Sequence, residues 1–192
     1  MRIEKLDIDG CFVIEHDVFP DERGLFREWF KASALDSIGI SFSVAQANFS
    51  VSKKGVIRGL HYSIAPEGQA KLVTCVEGLI IDHLVDIRVG SPTYLEKASV
   101  EIDSKSGISV LIATGVAHGF SVPKATSAIC YLNSSEYSSK FEKSINPYDI
   151  ELAVDWGLPQ GLTGIISEAD SESISFEKAM SENALPGYSV IS

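Results

Sequence analysis

The chain has 192 residues, of which 45% are hydrophobic and 22% charged, a balance typical of a folded globular domain with a core of its own. Its formal net charge of −10 argues against DNA or RNA as a partner, because a surface that binds nucleic acid is basic. Met1–Gly10 alternates charged with apolar residues and no apolar run approaches the roughly 20 residues of a membrane helix, so neither a signal peptide nor a membrane span is expected.

The predicted elements are mostly strands. A short helix over Lys31–Ile38 comes first and ends at Gly39. Strands follow at residues 44–52, 71–76, 79–88, 99–102, 109–113 and 128–132, with turns at Glu77-Gly78 and Ser104–Gly107. A second helix is expected at Ser175–Met180, where Ser175 can cap the first turn. Many strands joined by short turns predict an all-β sandwich or barrel.

The strand at 44–52 alternates cleanly, and this leaves Gln46, Asn48 and Ser50 on one face. On pattern alone, such a row is the solvent face of a half-buried strand. In a barrel that encloses a ligand cavity, the same row would point at the ligand.

Several short motifs occur in a fixed order along the chain. They are Arg23-Gly-Leu-Phe26, Gln46-Ala-Asn48, Gly55-Val-Ile-Arg-Gly-Leu-His-Tyr62, Lys71, Ala117-His-Gly-Phe120 and Ser167-Glu-Ala-Asp170. Together they resemble the dTDP-4-dehydrorhamnose 3,5-epimerases and their sugar-nucleotide epimerase relatives. The resemblance implies a cupin-type jelly-roll β-barrel with a few short helices, formed by residues 1–192 as one domain. Residues 171–192 are a C-terminal extension with no assigned role.

His61 is the candidate catalytic base, because imidazole titrates near neutral pH. A base of this kind needs an acceptor on its other nitrogen to fix its tautomer. Asp170 is the candidate, but it lies 109 residues downstream, so the sequence alone does not show a contact. A single histidine is more often structural than catalytic. The resemblance implies a His61–Asp170 dyad.

Lys71 and Tyr131 complete the predicted catalytic set. A lysine at the start of an apolar strand usually reaches solvent. The resemblance instead points Lys71 into the barrel with Gln69, where its cation stabilises an enolate oxygen. A Schiff base is the other chemistry open to a lysine. On pattern alone, Tyr131 is a structural aromatic residue of a strand. The resemblance implies another role, because the family's tyrosine delivers a proton to the face opposite the histidine.

The resemblance also implies a set of substrate-binding residues. Arg23 and Arg58 suit the diphosphate, and Arg23 is expected to serve a neighbouring subunit. In a regular strand Arg58 and His61 would point to opposite faces, so Gly59 is expected to mark a bulge. The other members of the set are Phe19, Phe26 and Glu28 at the thymine, Gln46 and Asn48 in the pocket, His118 as a supporting donor, and Tyr137 against the nucleotide. Phe19 and Phe26 would otherwise be core residues.

No metal and no cofactor are predicted. The chain has no His-x-His pair, no glycine-rich phosphate loop and no paired cysteine cluster. Cys11, Cys75 and Cys130 are widely spaced in apolar surroundings, which indicates reduced thiols of a cytoplasmic protein. The role of Asp82 stays open, and Asp86 with Arg88 is expected to form a structural ion pair.

The predicted function is therefore that of a cofactor-independent epimerase, a homodimer that converts dTDP-4-dehydro-6-deoxy-D-glucose to dTDP-4-dehydro-L-rhamnose in deoxysugar biosynthesis. An epimerase acting at C3 alone, for another dTDP-sugar, is the main alternative. A silent jelly-roll that only binds sugar nucleotides predicts that His61, Tyr131 or Asp170 is replaced, and a metal-dependent oxygenase predicts a histidine cluster. Ser63 departs from the glutamine that many relatives carry after the His-Tyr pair.

Overall fold

The computed structural model describes residues 1–64 and 68–189. Within them the chain forms thirteen strands and three short helices. The strands are β1 (Arg2–Lys5), β2 (Phe12–Glu15), β3 (Val18–Asp21), β4 (Gly24–Arg27), β5 (Gln46–Ser52), β6 (Ile57–Ser63), β7 (Lys71–Glu77), β8 (Leu79–Val85), β9 (Lys97–Asp103), β10 (Ile108–Ile112), β11 (Ala117–Ser121), β12 (Ser127–Asn133) and β13 (Glu142–Ser144). The helices are α1 (Ala32–Asp36), α2 (Glu168–Ser171) and α3 (Phe176–Ser181).

Two antiparallel sheets form the body of the fold. One has six strands in the order β1-β2-β10-β7-β12-β5, and the other has five in the order β13-β6-β11-β8-β9. Strands β3 and β4 form a separate hairpin. Apart from the consecutive pairs β1–β2 and β8–β9, neighbours in each sheet are far apart in the chain, so the connections cross from one sheet to the other, as in a jelly roll. The architecture confirms the predicted all-β, cupin-type fold.

The main hydrophobic core fills one end of the space between the sheets. Val73 and Ile129 from the six-stranded sheet pack there with Ile80 and Leu84 from the five-stranded sheet, and all four are buried. Tyr131 packs against the edge of this cluster. The core thus ends at Tyr131, and a cavity occupies the space beyond it.

Both predicted helices are present: α1 is shorter than predicted, and α3 has the predicted length but begins one residue later. The Ser175 hydroxyl accepts a hydrogen bond from the Lys178 amide and caps α3. The strand predicted at 79–88 was too long, because β8 ends at Val85. After it, Asp86 and Arg88 form the expected ion pair, which is fully buried, with 2.7 Å between Arg88 Nη2 and Asp86 Oδ2. Burial acts against both charges, but the hydrogen bonds between them lower the pKa of Asp86 and raise that of Arg88.

The C-terminal extension packs against the rest of the described chain as far as Tyr188. Phe176 and Ala179 of α3 are buried, and the Tyr62 hydroxyl donates to the Ala184 carbonyl. Further on, the Tyr188 hydroxyl donates to Asp9 near the N-terminus. These contacts fix the segment that follows Asp170. Residues 190–192 lie outside the described part of the chain.

Candidate active site

Two neighbouring cavities lie between the sheets, with volumes of about 290 Å³ and about 140 Å³. His61, Lys71 and Tyr131 line both, so the two cavities share one set of predicted catalytic groups. The larger is also lined by Gln46, Asn48, Gln69, Tyr137, Glu142, Lys143 and Ser144, and the smaller by Ser50, Arg58, His118, Phe120 and Ile129.

His61 contacts Asp170 as predicted. Its Nε2 lies 2.8 Å from Asp170 Oδ1, and the carboxylate is buried while the imidazole is 42% exposed. The Ser167 hydroxyl caps α2 by accepting from the Asp170 amide, so this four-residue helix sets the position of the carboxylate. Burial alone would raise the pKa of Asp170, but hydrogen bonds and charge from His61, with Ser167 and the Gly59 backbone, hold it below its usual value. Asp170 is therefore a stable anion that orients the imidazole.

A bulge in β6 brings Arg58 and His61 to the same cavity. On β11, His118 pairs with His61 and Phe120 pairs with Arg58, so three steps of β6 match two steps of β11. Gly59 lies in the bulge with a φ of 127°. The bulge expected at this glycine is present, and it removes the conflict between the two assignments because both side chains line the smaller cavity.

Tyr131 faces His61 from the opposite sheet. It lies on β12 of the six-stranded sheet, whereas His61 lies on β6 of the five-stranded sheet. Burial raises the pKa of Tyr131, outweighing the charge of Arg58 and a hydrogen bond with Asn48. The phenol is consequently a neutral acid at cellular pH.

The polar row of β5 lines the cavities and does not face solvent. Gln46 and Asn48 border the larger cavity, where Gln46 Nε2 donates to Asn48 Oδ1 at 2.9 Å. Gln46 Oε1 accepts from the Tyr137 amide, which holds Tyr137 at the same rim. Ser50 borders the smaller cavity. The ligand-facing interpretation of this row fits the structure.

Lys71 lies inside the barrel beside a carboxylate that the sequence did not reveal. Its ammonium is 3.8 Å from Glu142 Oε2, and both side chains are only 13% exposed. Burial lowers the pKa of Lys71, and the charge of Glu142 and, less strongly, that of Asp82 oppose this effect. Glu142 was missed because it lies on a three-residue polar strand, and only its pairing with β6 places it at the cavity.

His118 lies on β11, although Gly115 and Gly119 on either side of it are residues typical of a turn. Its Nε2 is 2.5 Å from Asp82 Oδ1, and Asp82 is fully buried on the neighbouring strand β8. Asp82 is thus the orienting partner of a second histidine at the cavity. The sequence had left its role open.

The structure does not bring the predicted binding residues of the hairpin region into either of the two cavities. These residues are Phe19, Arg23, Phe26 and Glu28. Arg23 is 85% exposed and pairs with Asp21, and Phe19 and Phe26 are 58% and 68% exposed. The alternative interpretation of Phe19 and Phe26 as core residues was wrong. Phe19, Phe26 and Glu28 line a separate cavity of about 490 Å³ beside the N-terminus.

Two further tests bear on ligands and membranes. In residues 1–64 and 68–189, no three His, Cys, Asp or Glu side chains lie where they could share a metal ion. Among the helices of the same part of the chain, none is long and apolar enough to cross a membrane.

Comparison with known proteins identifies a close resemblance over the whole chain. The family model described as dTDP-4-dehydrorhamnose 3,5-epimerase matches residues 5–178. A dTDP-4-dehydrorhamnose 3,5-epimerase from Mycobacterium tuberculosis is 41% identical over 98% of this chain and 94% of its own. A dTDP-4-dehydrorhamnose 3-epimerase from Streptomyces niveus is 39% identical over 98% of this chain and 90% of its own. The solved structure of the Mycobacterium tuberculosis rmlC epimerase superposes with a TM-score of 0.94, at 40% identity, over 98% of this chain and 94% of that one.

Proposed function

Because this chain belongs to the dTDP-4-dehydrorhamnose 3,5-epimerase family, we propose that it epimerises dTDP-4-dehydro-6-deoxy-D-glucose at C3 and C5 to give dTDP-4-dehydro-L-rhamnose. One observation carries the proposal: a histidine base and a tyrosine acid line the same cavity from opposite sheets. Epimerisation needs a proton to leave one face of a carbon and to return to the other face. A single base would return the proton to the face that it left.

In this mechanism His61 removes the proton next to the C4 carbonyl. Asp170 accepts from its Nε2, so the other ring nitrogen, Nδ1, is the base, and the carboxylate stabilises the imidazolium that forms. The negative charge moves to the C4 oxygen, where the Lys71 ammonium stabilises it. Tyr131 then donates its phenolic proton to the opposite face of the same carbon.

The charges that line the cavities support a nucleotide-sugar substrate. Arg58 borders the smaller cavity and Lys143 the larger, and both can contact a diphosphate. This local positive charge is needed because the chain as a whole carries −10. Gln46, Asn48 and Tyr137 offer polar and aromatic contacts at the rim of the larger cavity.

The test is to incubate the protein with dTDP-4-dehydro-6-deoxyglucose in D₂O and to follow C3 and C5 by proton NMR. We expect deuterium at both carbons with inversion. His61→Asn should abolish exchange, whereas Tyr131→Phe should retain exchange and lose most of the inversion, because the base remains and the opposite acid is gone. No exchange by the folded wild-type protein would refute the proposal.

A C3-only epimerase is the second candidate, and the Streptomyces niveus 3-epimerase at 39% identity favours it. The same base, acid and lysine serve both reactions. The same NMR experiment separates them, because a C3-only enzyme incorporates deuterium at C3 and leaves C5 protonated.

A homodimer is also proposed, in which Arg23, Phe19, Phe26 and Glu28 serve the substrate bound by a partner subunit. The support is a set of large apolar side chains that are exposed, namely Phe19, Leu25 and Phe26 of the hairpin and Phe49 and Val51 of β5. Burial of such side chains against a second subunit would remove this apolar area from water. Sedimentation equilibrium tests the stoichiometry, and a monomer at micromolar concentration would contradict it.

A cytoplasmic location is proposed as well, supported by the free thiols of Cys11, Cys75 and Cys130.

A further inference from the structure

A carboxylate and a hydroxyl from the five-stranded sheet converge on Lys71 from the six-stranded sheet. Glu142 on β13 pairs in register with Ser63 on β6, and the Ser63 hydroxyl donates to Glu142 Oε1. The other carboxylate oxygen, Oε2, lies 3.8 Å from Lys71 Nζ. Ser63 is buried, and Lys71 and Glu142 are nearly so. The three side chains form a continuous polar contact across the cavity.

We propose that Ser63 and Glu142 act as positioning residues for Lys71, holding its ammonium group in the cavity where the C4 oxygen of the sugar develops its negative charge. This inference rests on the function proposed above and adds two residues to it. Ser63 fixes the rotamer of Glu142, and Glu142 directs the flexible lysine side chain. Neither residue needs to touch the reacting atoms.

The hydrogen-bonding capacity of the groups explains this arrangement. A carboxylate accepts hydrogen bonds through two oxygens, and here Ser63 takes one and Lys71 approaches the other. An ammonium has three N–H donors, so after one is directed at Glu142 the others remain for substrate. A four-carbon side chain with no anchor would sample many rotamers, and its charge would be spread over them.

Glu142 also maintains the charge on Lys71. Burial lowers the lysine pKa, and the charge of Glu142, 3.8 Å away, opposes that effect most strongly. The other titratable groups around the lysine are Asp82 on β8, Arg58 and His61 on β6, His118 on β11, Tyr131 on β12, Lys143 on β13, and Tyr137. Two anions, Glu142 and Asp82, act on the lysine, and Asp82 is already paired with His118. Glu142 is therefore the principal counter-ion, and without it the amine loses its proton at lower pH.

The variants that test the proposal are Glu142→Gln and Ser63→Ala, with Glu101→Gln as a matched control. Glu101 is exposed on β9 and does not line either cavity. Each variant is checked for a native circular dichroism spectrum and melting temperature. Two measurements follow: kcat and KM between pH 6 and pH 10, and the rate at which Lys71 is acylated by acetic anhydride, quantified by mass spectrometry over the same range.

We expect the neutral amine fraction of Lys71 in Glu142→Gln to rise by about tenfold near pH 8, the effect of losing one close opposite charge. Acylation of Lys71 should speed up by the same factor. The alkaline limb of kcat should move to lower pH, with the largest loss above pH 8 and with KM changed by less than about twofold. Ser63→Ala should shift both profiles in the same direction by less, and Glu101→Gln should shift neither.

Unchanged acylation of Lys71 in Glu142→Gln would overturn the proposal, because the carboxylate would then not act on the lysine. A higher KM with an unchanged kcat would also overturn it and make Glu142 a substrate contact. The acylation measurement needs no substrate. If the wild-type protein fails to exchange deuterium, the proposed function fails, and the Lys71 acylation profiles still decide whether Ser63 and Glu142 control the lysine.

Discussion

Gly59→Ala is expected to destabilise the fold and to disrupt the active site at once. Gly59 occupies the bulge of β6 with a φ of 127°, a conformation that side-chain-bearing residues rarely adopt. A Cβ at this position would lie 2.7 Å from the Gly119 Cα and 2.8 Å from the His118 carbonyl oxygen. Both neighbours are backbone atoms of the adjacent strand β11, so they cannot move without shifting the sheet.

The expected loss of folding free energy in Gly59→Ala has two parts. The backbone conformation costs a non-glycine residue on the order of 1–3 kcal/mol. Forcing the two strands apart adds about 1–3 kcal/mol, as overpacking does elsewhere. The sum of about 2–6 kcal/mol is a large share of the roughly 5–15 kcal/mol that stabilises a typical domain. Gly161→Ala provides a reference for a positive φ without a close contact, because Gly161 has a φ of 81° and, apart from its chain neighbours, no heavy atom within 4 Å of the place that a Cβ would take.

The assay is urea unfolding followed by tryptophan fluorescence, at one fixed protein concentration because association with a partner would add to the apparent stability. Gly59→Ala should lose about 1–3 kcal/mol more than Gly161→Ala. In the fraction that folds, kcat should fall, since the bulge sets the positions of Arg58 and His61 together. Equal losses of stability in the two variants, with normal kcat in Gly59→Ala, would show that the close approach to β11 is not a constraint.

Three further predictions concern buried ionisable side chains. Asp170→Asn should lower the rate of deuterium exchange about 10- to 100-fold with little change in KM, because the charge-assisted hydrogen bond to His61 is worth about 1.5–3 kcal/mol, and a wild-type rate would contradict the dyad. Arg88→Met should cost about 3–5 kcal/mol in urea unfolding by leaving Asp86 buried and unpaired, and adding Asp86→Asn should recover part of the loss; no recovery would mean that the pair is not the cause. Stability should also fall as the pH drops below about 6.5, because burial lowers the pKa of His16 in the folded chain and the unfolded chain takes up the proton first. His16→Gln should make this decline shallower in unfolding curves between pH 7 and pH 5, and an identical slope would exclude His16 as a contributor.

The parts of the site that could be predicted from the sequence are those with a local pattern or a recognisable motif. The alternation of Gln46 and Asn48 fixed which side chains share a face, although only the closed barrel decides that this face is the inner one. Gly59 indicated a bulge because a regular strand would have separated Arg58 from His61. In each case the information lies within a few residues of the position concerned.

The parts that could not be predicted depend on contacts between distant strands. Glu142 reaches Lys71 because β13 pairs with β6, and nothing in the sequence Glu-Lys-Ser indicates that pairing. Asp82 contacts His118 because β8 and β11 are neighbours in the five-stranded sheet. The sequence left the hairpin open for another reason: Phe19 and Phe26 are apolar enough for a core, and only the fold shows that they are exposed outside it.

The same strands carry both the core and the chemistry, at different points along their length. On β7, Val73 and Cys75 belong to the hydrophobic core, whereas Lys71, on the same face, lines the cavities. On β12, Ile129 belongs to the core, and Tyr131, two residues further on, lines the cavities. Tyr131 pairs with Val73 of the neighbouring strand β7. Side chains two residues apart share a face of the strand. The inner face of each strand therefore changes once from apolar side chains, which form the core, to polar side chains, which line the cavities. The packed end therefore holds the two sheets at a fixed separation, and that separation keeps Tyr131 and His61 on opposite sides of the cavities between them.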